Sequence, residues 1–285
     1  MLERGAPGYP EALLDLERPP LRLHVRGRLP AARGVAIVGS RAATDYGLRF
    51  ASRLAEDLAR LGYPIVSGLA RGIDAAAHEG ALSAGGATVA VLPGGLSLIT
   101  PRSNAALAER IVERGALITE HDDDVAPYAS RFLERNRLIA ALARVTVVVE
   151  AAVKSGALST ATWARRLGRP VLAVPGDVDR PTSRGCHHLL RLGARVCEGA
   201  RDVLEALGAE TGLDAATPPV PDSTGLSPEA RVQAALADRP ETVETIAERA
   251  AVPLPETLAI LLRLEWAGIA AGSAGSRWRR GRGGA

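Results

Sequence analysis

The sequence predicts an α/β protein built on a doubly wound parallel sheet, followed by a small C-terminal helical domain. Three observations favour this fold class. Short apolar runs alternate with amphipathic stretches from about residue 34 to 207, which is typical of βαβ units. The run Val145–Val149 is continuously apolar, as expected for a central strand covered on both faces. Several runs end in small-residue turns, which connect such strands to helices.

The first βα unit shows the pattern clearly. Val35–Val38 reads as a strand, and a helix is predicted from about Thr44 to Leu61, with Gly62 as its stop. The same reasoning predicts later strands near 64–66, 88–92, 116–119, 145–149 and 171–174, and later helices near 73–84, 104–114 and 158–167.

The chain divides into four segments on composition. Residues 1–33 read as a short N-terminal extension and 34–207 as the α/β domain. Residues 208–227 contain Pro-Pro-Val-Pro and few large apolar side chains, and they read as a linker. Residues 228–285 predict three short helices and a basic tail with Arg277–Arg280, which suggests a winged helix-turn-helix.

Composition excludes several classes of protein. The 285 residues are 47% hydrophobic and 24% charged, with a net charge of +3, as in ordinary globular chains. No stretch approaches the roughly 20 apolar residues of a membrane span. Two cysteines are too few for a disulfide framework, so we expect a cytoplasmic protein without membrane contact. Lys154 is the one lysine in a chain whose other basic side chains are arginines.

Cations and glycines cluster at the predicted carboxyl ends of the strands, where open parallel sheets bind ligands. Arg41, Arg71 and Lys154 accompany these turns, whose small residues let backbone N–H groups approach an anion. A phosphate-rich ligand is therefore expected. The turns are Gly39-Ser40-Arg41, Ser67–Gly72, Pro93-Gly94-Gly95 and Lys154-Ser155-Gly156-Ala157.

A dinucleotide and a nucleoside triphosphate both fit poorly. No G-x-G-x-x-G opens the first helix, and no G-x-x-x-x-G-K-[ST] occurs. The second strand ends in Ser67-Gly68 rather than in a carboxylate for an adenosine ribose. We therefore expect no cofactor.

Other chemical constellations are weaker. Asp74 and His78 share a predicted helix face, but a helix N-terminal carboxylate and a buried histidine explain them more simply. The run Cys186-His187-His188 lacks the further ligands of a zinc site. The run Asp122–Asp124 is more typical of a solvated loop than of a magnesium site. We expect no metal and no catalytic set.

The segment around Ser130–Ile139 interleaves Arg131, Arg135 and Arg137 with Phe132 and Asn136. Guanidinium groups for phosphates and one ring for a base are what a single-stranded nucleic-acid groove requires. Solvated arginines on a helical turn are the simpler alternative for this segment alone.

Together the segments resemble the DprA (Smf) family, the bacterial DNA-processing proteins of natural transformation. Their order along the chain makes the resemblance more specific than any one motif, and it covers residues 9 to 207. The matching pieces are 9–27 (YPEALLDLERPPLRLHVRG), 36–41 (AIVGSR), 67–82 (SGLARGIDAAAHEGAL), 100–104 (TPRSN), 131–142 (RFLERNRLIAAL), 147–151 (VVVEA), 154–176 (KSGALSTATWARRLGRPVLAVPG) and 185–194 (GCHHLLRLGA).

The resemblance implies an extended Rossmann-like domain that binds single-stranded DNA without sequence preference, forms a homodimer and helps load RecA recombinase. It implies a non-enzymatic role. It places the basic pocket on three motifs: Gly39-Ser40-Arg41, Arg135-Asn136-Arg137 and Lys154-Ser155-Gly156. Arg41 and Lys154 are the first candidates for phosphate contacts, and Arg71 belongs to the same expected rim.

The sequence departs from the family pattern at the edges of these motifs. Thr100 replaces a tyrosine before Pro101, Ala141 and Ala143 flank Leu142 in place of glycine and serine, and His187 stands where asparagine is expected. These changes concern the fine detail of the pocket and not the resemblance to the family.

Two other functions stay open. Pro93-Gly94-Gly95 resembles the start of the site in Rossmann-like enzymes that hydrolyse nucleoside monophosphates, although the following glycine, threonine and glutamate are missing. Alternatively, DNA binding could belong to the winged helix, with Arg277–Arg280 as a wing.

Overall fold

The computed structural model of the protein describes residues 1–208, 227–273 and 277–281. The chain forms two compact units, Met1–Gly212 and Leu213–Ala285, so the division falls between described segments. The predicted linker 208–227 lies almost wholly outside the described residues. Within those residues, every helix is too short or too polar to cross a membrane.

The N-terminal unit contains a nine-stranded sheet, which confirms the predicted fold class. Its spatial order is β1-β2-β6-β5-β4-β3-β7-β8-β9, and pairing is parallel from β6 through β9. The strands are β1 (Leu2–Glu3), β2 (Arg22–Gly27), β3 (Gly34–Gly39), β4 (Ile65–Ser67), β5 (Thr88–Val91), β6 (Ala116–Thr119), β7 (Ala143–Val149), β8 (Val171–Ala173) and β9 (Arg195–Val196).

The segment predicted as a short extension, residues 1–33, contributes to this sheet. Strand β2 pairs antiparallel with β6, from His24 opposite Thr119 to Gly27 opposite Ala116, and β1 pairs antiparallel with β2. The sequence of β2 mixes Arg22, His24 and Arg26 with Leu23 and Val25. Only Leu23 of β2 is fully buried, so the hydrophobic signal of this strand is weak.

Seven helices cover the two faces of the sheet in the described part of this unit. Alternate residues of β3 serve opposite faces: Val35 and Ile37 pack with α1, α2 and α7, whereas Ala36 and Val38 pack with α4, α5 and α6. Helix α3 covers the β5–β6 side. The helices are α1 (Asp45–Arg60), α2 (Ile73–Ser83), α3 (Ala105–Arg114), α4 (Ala129–Leu142), α5 (Gly156–Arg166), α6 (Arg184–Arg191) and α7 (Ala200–Ala206).

Strands β3 and β7 lie side by side at the centre, and the chain proceeds from them toward opposite edges of the sheet. This reversal is the switch point at which open α/β sheets bind ligands. The two strand ends approach closely, because a Cβ on Gly39 would lie 1.8 Å from the Val149 carbonyl oxygen. Glycine is therefore required at the first residue of the Gly39-Ser40-Arg41 turn.

The described residues of the C-terminal unit form three helices and a three-stranded antiparallel sheet of order β10-β12-β11. Val232, Ile246, Leu261 and Trp278 lie in its core. The sequence predicts these helices at 228–237, 243–250 and 256–267, and they begin and end within two residues of those bounds. Assignment as a winged helix stays a prediction. The elements are α8 (Pro228–Ala235), β10 (Glu241–Thr242), α9 (Val243–Ala250), α10 (Leu254–Trp266), β11 (Ala270–Ser273) and β12 (Arg277–Arg280).

Candidate nucleic-acid interface

A cleft of about 790 Å³ opens at the carboxyl ends of β3 and β7. Three segments form its walls: the turn after β3, the first half of α4, and the loop leading into α5. The structure brings eight of the ten predicted site residues together here, while Arg71 and Arg137 are not among the lining residues. The eight are Gly39, Ser40, Arg41, Arg135, Asn136, Lys154, Ser155 and Gly156.

Arg41 and Lys154 form the exposed rim of the cleft. The guanidinium carbon of Arg41 lies 4.6 Å from the centroid of the Phe132 ring, within the range of a cation–π contact. Within the described residues, neither cation forms an ion pair with a carboxylate. Their charge is therefore available to an anion in the cleft.

The N-terminus of α5 adds a second source of positive potential. Ser155 is its N-cap, and the Ser155 Oγ accepts a hydrogen bond from the Ala157 N–H at 3.2 Å. Gly156 is exposed, and a Cβ there would meet nothing closer than Leu133 at 3.8 Å. The partial positive charge at the start of an eleven-residue helix favours an anion. Asn136 ties α4 to this turn by donating to the Gly156 carbonyl at 3.0 Å.

Arg135 forms the floor of the cleft and is only 4% exposed. Its Nη1 donates to the carbonyl oxygen of Gly68 at 2.8 Å and also to that of Val91, at the ends of β4 and β5. A Cβ on Gly68 would lie 2.4 Å from the guanidinium. Burial lowers the pKa of Arg135 to about 10, with nearby Asp74 opposing the shift, so the group stays cationic at neutral pH. Its hydrogen bonds hold the strand ends together.

Asp74 accompanies Arg135 beneath the cleft. One carboxylate oxygen accepts from the backbone N–H of Gly68 at 3.2 Å and of Ala70 at 3.3 Å. Burial raises the pKa of Asp74, while Arg135 and these hydrogen bonds act in the opposite direction. The Asp74 carboxylate therefore holds the turn after β4 in place through these two hydrogen bonds.

Arg137 lies on the other side of α4, which separates the two arginines of the motif. Its guanidinium pairs with Glu120 and donates to the Arg18 carbonyl at 3.1 Å. Residues two apart on a helix point about 200° from each other, so Arg135 and Arg137 cannot both face the cleft. Arg71 is exposed in the turn before α2.

Glu150 is a site residue that the sequence reasoning did not single out. It is 6% exposed at the end of β7, with a φ of 50°. Its carboxylate accepts from the Thr44 N–H at 2.8 Å and from the Thr44 hydroxyl, and Thr44 is the N-cap of α1. A Cβ on Gly47 would lie 2.7 Å from the carboxylate. Glu150 therefore ties the turn that carries Arg41 to the strand that leads to Lys154.

His78 and Asp74 do not contact one another through a hydrogen bond. The Thr88 hydroxyl donates to the Ile65 carbonyl at 2.9 Å and lies 2.7 Å from His78 Nδ1, so Nδ1 carries the proton and donates. Burial lowers the pKa of His78 to about 3. This neutral, buried histidine agrees with the structural interpretation made from the sequence.

The other candidate groups that the sequence offers also make structural contacts. Within the described residues, no group of three His, Cys, Asp or Glu side chains could hold a metal ion. Cys186 is buried, which raises its pKa to about 11. Asp123 accepts from the Leu96 N–H at 3.0 Å. The turn Pro93–Gly95 packs against residues 123–127 and does not line the cleft.

The residues that depart from the family pattern lie outside the lining of the cleft. Thr100 precedes Pro101 in a cis peptide bond. The carbonyl groups of Ala141 and Ala143 accept from Arg169. His187 Nε2 lies 3.0 Å from the Gly176 carbonyl oxygen. None of the four residues lines the cleft.

The fold and the cleft define an α/β protein with a basic cleft at the switch point of an extended Rossmann-like sheet. A comparison with protein families makes this specific: residues 1–208 match the family described as "DNA recombination-mediator protein A". The chain belongs to this family, which confirms the resemblance seen in the sequence.

Curated relatives extend the similarity into the C-terminal unit. The chain is 46% identical over 258 residues to a putative DNA processing protein DprA of Mycobacterium tuberculosis, covering 90% of this chain and 66% of that protein. It is 41% identical over 271 residues to Protein Smf of Escherichia coli, covering 91% and 72%. The chain thus spans about two thirds of the length of these relatives.

Two solved structures share the fold. DNA processing protein A of Streptococcus pneumoniae superposes with a TM-score of 0.68 at 36% identity, covering 72% of each chain. The Helicobacter pylori protein gives a TM-score of 0.63 at 32% identity, covering 70% of this chain and 92% of that one. The latter structure was described for its mode of single-stranded DNA binding.

Proposed function

We propose that this protein binds single-stranded DNA in the cleft, without sequence preference. The observation that carries the proposal is the exposed rim formed by Arg41 and Lys154, two cations without a carboxylate partner in the described residues. They lie beside the open N-terminus of α5 and the Phe132 ring. Phosphates, a helix N-terminus and a ring for base stacking are the elements of nonspecific single-strand binding. The name and description of the Helicobacter relative support the same ligand.

The predicted site residues take different parts in this proposal. Arg41 and Lys154 contact phosphates directly, the backbone of Gly156 supplies an N–H donor, and Ser155 caps the helix that presents it. Gly39 and Ser40 shape the turn that presents Arg41. Arg135 and Asn136 are positioning residues because their hydrogen bonds go to backbone carbonyls. Arg71 and Arg137 lie outside the cleft lining, and we propose that Arg71 attracts the strand beyond it.

The protein is proposed to act by binding rather than by catalysis. As the family resemblance implies, it would protect incoming DNA in natural transformation, act as a homodimer in the cytoplasm and pass the strand to RecA recombinase. No cofactor is required for such a role. Release of free base from a nucleoside monophosphate panel would instead favour the hydrolase alternative.

Fluorescence anisotropy with a labelled oligo-dT tests the cleft. The double variant Arg41→Ala/Lys154→Ala should bind more weakly to every sequence. The slope of log K against log [salt] should become shallower by about 0.7 for each lost phosphate contact. Arg166→Ala is the matched control, because Arg166 lies 5.0 Å above the Trp163 ring but outside the cleft. Equal binding by the double variant and the wild-type protein would contradict the assignment.

A further inference from the structure

A second pair of an aromatic ring and a guanidinium lies one helical turn before the pair in the cleft. The guanidinium carbon of Arg131 lies 4.2 Å from the centroid of the Tyr128 ring. This arrangement repeats that of Arg41 over the Phe132 ring. Tyr128 is the N-cap of α4, and its chain neighbour Ala129 lines the cleft together with Phe132. The second pair therefore lies just outside the cleft lining, and no contact proposed for the cleft uses it.

The Tyr128 ring is open to solvent and held in place. Its exposed fraction is 54%, which is large for an aromatic side chain. Arg131 covers one face of the ring, and the Arg131 Nη1 is itself fixed by donating to the Ala126 carbonyl at 2.5 Å. An exposed ring held in this way can stack a base, and such stacking does not depend on sequence because every base has a flat face.

The spacing of the two rings suits neighbouring bases of an extended strand. Tyr128 and Phe132 are four residues apart, so they lie on the same side of α4. The rise between them along the helix axis is about 6 Å. This rise is nearly twice the separation of about 3.4 Å between stacked neighbours in one strand of a duplex. Two bases that are unstacked from each other can therefore each occupy one ring.

Acidic loops border the carboxyl edge of the sheet on both sides of the cleft. Asp177 and Asp179 are exposed after β8, and Asp122–Asp124 are exposed after β6. Arg41 and Lys154 follow β3 and β7, which lie between those two strands in the sheet. Repulsion by the two acidic loops therefore confines a phosphate backbone to the interval from β5 to β7.

Tyr128 lies within this interval. The segment that leads into α4 packs against the turn after β5, because a Cβ on Gly94 would lie 2.7 Å from the Val125 carbonyl oxygen and 3.0 Å from the Pro127 nitrogen. Neighbouring strands are about 4.8 Å apart, so the three spacings from β5 to β7 span about 14 Å. An edge of this width has room for a second base beside the one in the cleft.

We propose that Tyr128 stacks a second base of the single strand, next to the base at Phe132, while Arg131 fixes the Tyr128 ring. This inference rests on the proposed function and adds a base contact outside the cleft. Because the contact is made by the face of a ring, it depends on the presence of bases and not on the number of phosphates.

Binding of two labelled strands to the full chain tests the contact by fluorescence anisotropy at low salt. One strand is dT12, and the other is an abasic 12-mer with the same sugar-phosphate backbone. Tyr128→Ala should weaken dT12 binding about fivefold or more and leave binding of the abasic strand unchanged. The slope of log K against log [salt] should also stay the same, and Tyr128→Phe should bind like the wild-type protein.

Tyr46→Ala is the matched control, because Tyr46 is a tyrosine of similar exposure in α1 that does not line the cleft. Equal losses on both strands in Tyr128→Ala would show a structural role for the ring, and no loss on dT12 would show no role. Either result overturns the inference while leaving the cleft assignment intact. Failure of the wild-type protein to bind dT12 would instead overturn the proposed function and this inference together.

Photocrosslinking gives a second measurement that does not depend on a variant. A 12-mer with one thymidine replaced by 5-iododeoxyuridine is irradiated with the wild-type protein, and the modified peptides are identified by mass spectrometry. Adducts are expected on Tyr128 and not on Tyr46. Adducts on Tyr46 without any on Tyr128 would contradict the proposed path of the strand.

Discussion

The cations at the rim of the cleft and the cation at its floor have the same charge but different surroundings. Arg41 and Lys154 are exposed and lack carboxylate partners in the described residues, whereas Arg135 is buried and bonded to the carbonyl groups of two strand ends. The comparison shows that cations of one basic pocket can have two different roles. Cations at the rim are free to bind a ligand, and the floor cation keeps the strand ends in place.

The largest expected effect follows from removing the floor cation. Arg135→Ala should lower the free energy of unfolding by about 3–5 kcal/mol, because it leaves Asp74 and two carbonyl groups buried without their cationic neighbour. Urea denaturation measures the loss. Arg41→Ala, at the rim, should change stability by less than about 0.5 kcal/mol. Similar losses in both variants would remove the distinction between rim and floor.

The second effect concerns His78, which is buried without charge. Its folded pKa of about 3 lies below the ordinary value of 6.5, so between these values the unfolded chain holds a proton that the folded chain does not. The free energy of unfolding should therefore fall as the pH decreases below 6.5, by about 1.4 kcal/mol per pH unit from this group. Above pH 6.5, His78 should make no contribution to the pH dependence of the free energy of unfolding.

Chemical denaturation at several pH values checks this effect. In His78→Gln the free energy of unfolding should depend less steeply on pH between 6.5 and 3. This holds even if the variant is less stable than the wild-type protein at pH 7. His188→Gln changes an exposed histidine and should leave the slope intact. An unchanged slope in His78→Gln would show that other groups cause the acid sensitivity.

A smaller effect is expected where the two rim segments are joined. Glu150→Gln keeps the shape of the side chain but removes the charge that accepts two hydrogen bonds from Thr44. The free energy of unfolding should fall by about 1–3 kcal/mol. Oligo-dT affinity should also fall, although Arg41 and Lys154 are both present, because their spacing is no longer fixed.

Glu56→Gln serves as the comparison for Glu150→Gln, since Glu56 pairs with Arg60 on the surface of α1. That change should alter neither stability nor affinity appreciably. Affinity that stays at the wild-type level in Glu150→Gln would show that Glu150 does not position the rim.

The smallest effect distinguishes the two rim cations from each other. Lys154→Arg retains the charge but replaces a compact ammonium with a larger planar group beside the start of α5. A loss of a few-fold in oligo-dT affinity is expected, with an unchanged salt slope. Affinity equal to that of wild type would show that the lone lysine has no special role.

The fold was largely predictable from the sequence because central strands and their helices leave strong periodic signals. Val145–Val149 and the helix after Thr44 were located closely. Strand β2 is not predicted from the sequence, because Arg22, His24 and Arg26 alternate with its two apolar residues and only one side chain is fully buried. Helix α4 was recognised only as a basic segment, because it carries arginines on both sides and its apolar face is short.

The sequence predicts which turns form the cleft, but it does not predict which side chains contact one another there. Glycine and cation positions located the walls of the cleft around Gly39 and Lys154. Arg135 faces the cleft and Arg137 faces away from it because of the rotation of α4 about its axis. Leu138 and Ile139 fix this rotation by packing in the core. Glu150 left only the signal of a carboxylate directly after an apolar strand, and its partner lies 106 residues away in sequence.

The ends of the nine-stranded sheet limit how this protein can associate. Each outer strand, β1 and β9, is only two residues long. Such short borders offer few free backbone groups, so another chain cannot readily extend the sheet, and fibre-like stacking is disfavoured. Assembly of the N-terminal unit into larger complexes must therefore proceed through helices and loops. The N-terminal unit can therefore reach high local concentrations with little edge-to-edge pairing of its outer strands.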